Sequence, residues 1–203
     1  MAYNYLFKFV ILGDKAVGKS SICNIIDNKT FTDYLAPTIG VEYIATYFNI
    51  DNKTIKCQFW DISGDSSYLT ITESYLKDNI GVIIVFDKSN KTSFTNIKKW
   101  VDLLGDKTEQ TKILLMGNKL DKVDIKVTNY EASVYANANN FLYIDTSAKT
   151  GENIIYGIEK LIRFILLNIN LHNHPGIKEG YKEVDILQTQ LKHDCCFDMC
   201  KFL

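Results

Sequence analysis

The chain has 203 residues, 46% of them hydrophobic and 23% charged, with a formal net charge of −1. That length supports one well-packed domain plus a tail and is cramped for two; the balanced charge excludes a global field for nucleic acid or an acidic surface, so membrane affinity has to come from a local feature. Of the five cysteines, Cys23 and Cys57 are isolated while Cys195, Cys196 and Cys200 crowd the C-terminus, which excludes a disulfide framework or paired zinc knuckles and points to a reducing, cytosolic compartment.

The start, Met1-Ala2-Tyr3-Asn4-Tyr5, has neither the layout of a signal peptide nor the glycine that myristoylation needs. Tyr5 to Leu12 reads as a buried strand. It runs into Gly13-Asp14-Lys15-Ala16-Val17-Gly18-Lys19-Ser20, which satisfies G-x-x-x-x-G-K-[ST] in full, and then into a helical pattern over Ser20–Asp27. This is the signature of a phosphate-binding loop: glycines let successive N–H groups turn inward, and a helix N-terminus adds its partial positive charge. The set expected around a nucleotide's phosphates is Asp14, Lys15, Ala16, Val17, Gly18, Lys19, Ser20 and Ser21, with Lys19 on the outer phosphates and Ser20 on Mg²⁺.

Thr38 follows in a polar segment, where a second hydroxyl for the metal is expected. Strands are predicted at Val41–Ile50 and Thr54–Trp60, joined by the tight-turn sequence Asp51-Asn52-Lys53. Asp61-Ile62-Ser63-Gly64 closes the second of these, placing a carboxylate for Mg²⁺ and a glycine N–H for the terminal phosphate. Further strands are expected at Gly81–Phe86, Lys112–Met116 and Phe141–Ile144, alternating with helices at Ser93–Leu104, Asn129–Asn137 and Asn153–Leu167. Asn118-Lys119-Leu120-Asp121 ends one strand: a carboxylate there accepts two N–H bonds from guanine, which adenine does not offer in that arrangement, while the asparagine meets the other edge of the ring. Ser147-Ala148-Lys149 ends the next, where a backbone N–H can bond the guanine oxygen.

The alternation predicts an α/β fold: a single nucleotide-binding domain over residues 1–170, with a six-stranded, mostly parallel sheet, one antiparallel edge strand and helices on both faces. Ligand then belongs outside the C-terminal ends of the strands. Leu161 to Leu171, the most apolar late stretch, is shorter than the ~20 residues that span a bilayer and contains Arg163, Asn168 and Asn170. Residues 171–203 read as a flexible linker and tail, opening with the helix-breaking run His172-Asn173-His174-Pro175-Gly176. The tail ends Cys200-Lys201-Phe202-Leu203, a C-x-x-X pattern whose final leucine favours geranylgeranylation of Cys200. One prenyl chain anchors only reversibly. Lys178, Lys182, Lys192 and Lys201 are outnumbered by Glu179, Glu183, Asp185, Asp194 and Asp198, so palmitoylation of Cys195 and Cys196 is the better second anchor.

These motifs, in this order, resemble the small Ras-like GTPases across about residues 5–168. Within them Ile39-Gly40-Val41-Glu42-Tyr43, Gln58-Phe59-Trp60-Asp61, Ile84-Val85-Phe86-Asp87 and Ser93-Phe94-Thr95-Asn96-Ile97-Lys98-Lys99-Trp100 are similar to the Rab group. The resemblance implies a GTP/GDP-binding switch with Mg²⁺ at Ser20, Thr38 and Asp61. Phe31 would pack on the base, beside Asn118, Lys119, Asp121, Ser147, Ala148 and Lys149, and Thr38 and Gly64 would be the switch anchors. It also implies a monomer that meets GTP-dependent effectors around Ile39–Tyr43, Trp60 and Tyr75, an exchange factor, an activating protein and a prenyl-carrier or GDI-type chaperone. Its place would be the cytoplasmic face of an intracellular trafficking membrane, with a cytosolic pool and no nucleic-acid partner. Phe59 reads better as core. As in double-cysteine Rabs, Cys195 and Cys196 would alternatively form a second prenyl site.

The hydrolytic group, taken as Lys15, Lys19, Gly64 and Asp65, departs from the family pattern. Asp65 stands where the family usually has a glutamine that orients the attacking water; it is a methylene shorter, cannot donate when ionised, and adds negative charge near an anionic transition state. Hydrolysis is expected to be slow, and the alternative is a GTP-binding module that recruits effectors and scarcely hydrolyses. Ser66-Ser67-Tyr68 also lacks the acidic-basic pair common in Rabs. Lys15 and Ala16 replace a small polar residue and glycine, and two readings compete for Lys15: it crowds out the water, or it pairs with Asp65 or the phosphate and offsets the charge. Arg163, the sole arginine, lies on the last helix and offers no built-in finger.

Overall fold

The β-branched and aromatic runs of the sequence assemble into one sheet because their side chains alternate between two faces that both need cover. The computed structural model describes residues 2–68, 72, 74–105, 111–168 and 177–179. Its strands are β1 (Tyr5–Leu12), β2 (Val41–Ile50), β3 (Lys53–Ile62), β4 (Gly81–Asp87), β5 (Lys112–Asn118), β6 (Leu142–Asp145) and β7 (Ile177–Glu179). The spatial order is β2-β3-β1-β4-β5-β6, with β7 paired to β1 off this path. The pairs β1/β3, β1/β4, β4/β5 and β5/β6 are parallel, so these strands end at one edge; β2/β3 is antiparallel.

The helices are α1 (Lys19–Ile26), α2 (Lys91–Thr95), α3 (Ile97–Asp102), α4 (Asn129–Ala138) and α5 (Ile154–Asn168), with a short 3₁₀ turn at Ser66–Tyr68. Along β1 the period of two is plain. Phe7, Phe9 and Ile11 pack in one core with Ile22 and Ile26 of α1 and Ile158, Leu161 and Ile165 of α5. Val10 and Leu12 pack in the other with Phe94 of α2, Trp100 of α3 and Ala132 of α4. Every residue of β4 is buried. Between β2 and β3 the turn is only Asp51-Asn52, both at positive φ (48° and 62°), while Lys53 already pairs with Ile50. Such a turn matches the twist of the flanking strands.

Two expectations need correction. The helix predicted over Ser93–Leu104 is two short helices, because the hydrogen-bond ladder tightens at Asn96: its N–H reaches Thr92 four residues back, whereas Lys99 N–H reaches Asn96 three back. The six-stranded sheet gains a seventh strand inside the segment read as a linker. β4 covers only Phe9–Leu12 of β1, leaving the edge of the first half open, and Ile177–Glu179 fills it antiparallel to Tyr5–Phe7. Ile177 is buried in the same core as Phe7. The remainder of the predicted tail, with Cys195, Cys196 and Cys200, lies outside the described residues.

Ile177→Ala should therefore lower stability by about 2 kcal/mol and speed amide exchange in Tyr5–Phe7. Urea unfolding with hydrogen exchange checks this, and a variant matching the parent in both would show that β7 does not contribute in solution.

Candidate functional site

At the edge where the parallel strands end, the turn after β1 is forced into an unusual path. Gly13 has φ +141° and a Cβ there would sit 2.2 Å from the Val85 carbonyl oxygen; at Gly18, φ +102°, it would sit 2.3 Å from Asn118 Nδ2. Only glycine fits either place. Ala16 also takes a left-handed φ of 63°, and Lys119 Nζ donates to its carbonyl at 2.6 Å. Gly18 caps α1 without a side-chain bond to the helix N-terminus, so the first N–H groups of α1 are not claimed by a capping side chain. Lys19 is buried, and its ammonium donates to the carbonyls of Gly13 (2.8 Å) and Asp14 (2.9 Å). Burial lowers its pKa, with Asp61 and Asp14 pulling it back.

Lys15, Ala16, Gly18, Lys19, Ser20 and Ser21 line a cleft of about 640 Å³, a size typical of small-molecule sites. Two expected members do not. Both Asp14 carboxylate oxygens are committed elsewhere, one accepting from Trp100 Nε1 and the other from Asn96 Nδ2, each at 2.8 Å. Val17 has its side chain buried in the core and its carbonyl on Asn118 Nδ2.

The three expected metal residues converge. Ser20 Oγ lies 2.7 Å from Thr38 Oγ1 and donates to Asp61 Oδ2 at 2.5 Å, and Thr38 reaches the same oxygen at 3.5 Å. Asp61 is 1% exposed, and its other oxygen, Oδ1, is buried with no hydrogen-bond partner. Burial raises its pKa, against the Ser20 hydrogen bond and Lys19. Two hydroxyls and an uncompensated carboxylate are hard oxygen donors, and they fit Mg²⁺.

Gly64 lies hard against the first turn: a Cβ would fall 2.4 Å from Asp14 C and Lys15 N. Asp65 lines the cleft, but its Oδ1 accepts from its own turn, from Ser67 N–H at 3.0 Å and Ser67 Oγ at 2.8 Å. Those bonds hold its carboxyl below the usual range, and the Lys15 charge adds only a little to their effect. No ion pair within 4 Å joins Lys15 to Asp65 among the described residues, so that pairing is not found. Arg163 bonds Asp51 at 2.5 Å, away from the cleft.

At the far end, Asn118 is 1% exposed; its Nδ2 donates to Val17 O at 2.9 Å and its Oδ1 accepts from Ala148 N–H at 3.0 Å. Phe31, Lys119, Asp121, Ala148 and Lys149 line the cleft with it. Ser147 sits behind, donating to Asp121 Oδ1 at 2.5 Å. Sequence reasoning missed several lining residues: Thr32, Asp33, Leu35, Ala36 and Pro37 fill the stretch before Thr38, and Ser63, Tyr68 and Lys122 complete the wall. The first group was signalled by lying between two named contacts; Lys122 had no motif.

Beside the cleft, Tyr43, Trp60 and Tyr75 form an aromatic row with centroids 5.1 and 5.4 Å apart. Ile39 is 82% exposed next to it in the chain. Phe59 is fully buried and stacks on Phe9 at 5.3 Å, as the core reading required. No helix among the described residues is long and apolar enough to cross a membrane.

The Ras family model matches residues 8–167. The chain is 38% identical over 160 residues to Ras-related protein Rab-11C of Dictyostelium discoideum, covering 78% of this chain and 71% of that protein. It is 39% identical over 154 residues to GTP-binding protein ypt1 of Schizosaccharomyces pombe, covering 75% and 76%. Against GTP-binding protein YPT1 of Saccharomyces cerevisiae the identity is 36% over 202 residues, covering 96% and 98%.

Behind the base end, Asp87 pairs with Lys119 at 2.9 Å and accepts from Ser89 N–H (2.8 Å) and Oγ (2.6 Å). Burial pushes its pKa up, but these bonds together carry it below the ordinary value of 3.8. A depressed pKa gives stability that is present above the unfolded value and lost as pH falls through the folded one. Urea midpoints from about pH 7 to about pH 3 should therefore fall more steeply for the parent than for Asp87→Asn; parallel curves would remove this anchor from the account.

Proposed function

This chain belongs to the Ras family and is Rab-like within it, and from that premise we propose that it is a GTP/GDP switch that recruits effectors in membrane trafficking and hydrolyses GTP slowly on its own. Guanine would be held by Asn118, Lys119 and Asp121 on one side and by Ser147, Ala148 and Lys149 on the other. Support comes from the cleft itself, whose base end offers Asp121 as an acceptor and whose other end offers the turn N–H groups and a preorganised Lys19 ammonium. Mg²⁺, held by Ser20, Thr38 and Asp61, would supply charge neutralisation at the outer phosphates. Thr38 and Gly64, which sit at the roots of the two flanking segments, are suited to tie those segments to a γ-phosphate and let them go afterwards.

The observation that carries slow hydrolysis is the engagement of Asp65 with Ser67. The side chain at the place of the water-orienting glutamine is an acceptor, turned into its own backbone turn, and it has no N–H to offer a transition-state oxygen. The same observation favours the second reading, a module that loads GTP and recruits effectors while scarcely turning over. Effectors would read the aromatic row with Ile39, and an exchange factor and an activating protein would work on the same segments. The activating protein is then the natural source of the missing donors. Membrane attachment would come from a prenyl group on Cys200, with Cys195 and Cys196 as further lipid sites, delivered by a prenyl-carrier chaperone.

Single-turnover hydrolysis of preloaded GTP should be slow in the parent and at least about tenfold faster in Asp65→Gln. Equal rates would overturn the brake and pass water positioning to another group, Lys15 first. Asp121→Asn should move preference from guanine towards xanthine nucleotides, and undiminished guanine selectivity in a competition assay would discredit the base site.

A further inference from the structure

Lys88, which belongs to none of the motifs, stands immediately after β4 and is 2% exposed. Its backbone N–H donates to the Asn118 carbonyl at 2.9 Å, and its own carbonyl accepts from Lys126 and Val127 at 2.9 and 3.0 Å, in the segment leading into α4. Its ammonium crosses behind β5 and pairs with Asp145, the last residue of β6. One residue thus grips both strand ends that carry the base-contacting loops.

The carboxylate at the other end is tied in turn. Asp145 also accepts from the Tyr143 hydroxyl and from Asn129 Nδ2 at the start of α4, at 2.6 Å, while its carbonyl accepts from Asn153 Nδ2 at 3.0 Å. Burial, and then Asp145 itself, raise the pKa of Tyr143, so the phenol stays a donor. The group is packed against Gly117, where a Cβ would lie 2.9 Å from Asp145 Oδ1 and 3.0 Å from Tyr143 OH; Gly117 directly precedes Asn118. Beyond Asp145, Thr146 N–H donates to Gly117 O at 2.8 Å and Leu120 N–H to Thr146 O at 3.0 Å, and Ser147 then bonds Asp121. A displacement at Asp145 therefore reaches both sides of the base end within two residues.

A buried ion pair is a poor source of net stability, since well-packed apolar groups of the same volume commonly do as well, and in some proteins its role is to fix the relative placement of the elements it joins. We propose that Lys88, through Asp145, is the positioning residue that sets the spacing of the two base-contacting loops, and hence how tightly and how selectively this chain holds a guanine nucleotide. The inference rests on the guanine reading above.

The test uses the full chain and two readouts: release of a fluorescent GDP analogue, and competition between GDP and inosine diphosphate, which lacks the exocyclic amine. Lys88→Met keeps the apolar stem and removes the charge. Release should accelerate about tenfold and the preference for GDP should fall at least about threefold. Lys88→Met combined with Asp145→Asn removes both charges while leaving an acceptor for Tyr143; its melting temperature should return to the parent's but the GDP preference should not. If the single variant does not fold, the double variant carries the test. A preference equal to the parent's in a folded variant, or restored together with stability in the double variant, overturns the positioning role. A parent that does not retain GDP overturns the guanine reading and this inference with it.

Discussion

The site hangs on the buried side-chain amide of Asn118. With its Nδ2 on the Val17 carbonyl and its Oδ1 on the Ala148 N–H, it locks together the turn after β1, the end of β5 and the loop after β6. A buried amide that satisfies a carbonyl of the first turn and an N–H of the loop after β6 costs far less than leaving those groups unpaired. The constraint propagates outward. Gly18 has to be glycine because the amide occupies the space of its Cβ, and α1 then begins at Lys19 with its N-terminus facing the cleft.

Much of this was legible in the sequence because each motif falls where a hydrophobic run stops. Gly13–Ser20 follows β1, Asp61–Gly64 straddles the end of β3, Asn118–Asp121 begins at the last residue of β5 and Ser147–Lys149 lies just past β6, so a parallel sheet delivers all four to one edge. Period and motif are local signals, and local signals survive in one dimension. The oxygen trio of Ser20, Thr38 and Asp61 was legible for the same reason, since each lies at a fixed offset from a strand or helix end.

What could not be read depends on contacts between distant segments. Asp14 looks like part of the phosphate loop, yet its carboxylate is drawn off by Trp100 and Asn96, more than eighty residues away. Nothing in the hydropathy of Lys88 marks it as buried, because only the fold brings Asp145 to its ammonium. β7 escaped because Ile177–Glu179 is too short for a period, and its reason to form is an open half-edge on β1 that exists only once β4 has paired. Asp65 invited a charge argument with Lys15, whereas the competing donors lay two residues on, in the N–H and hydroxyl of Ser67. An Asp before Ser-Ser is a capping signal, and it was there to be read.

Burial separates the two halves of the activity. The groups suited to holding a nucleotide, Lys19, Asp61, Asn118 and the loop glycines, are enclosed and cross-linked, so changing one of them disturbs the fold around it. The groups that depart from the hydrolytic pattern, Lys15 and Asp65, stand at the rim of the cleft, and Asp65 is tied only to its own turn. Substitution at the rim alters the field and the hydrogen-bond donors that face a γ-phosphate, yet leaves the enclosed network intact. On the proposed reading, a chain of this architecture retains its nucleotide grip while its turnover is tuned at Lys15 and Asp65 on the rim, and by whatever donors a partner brings there.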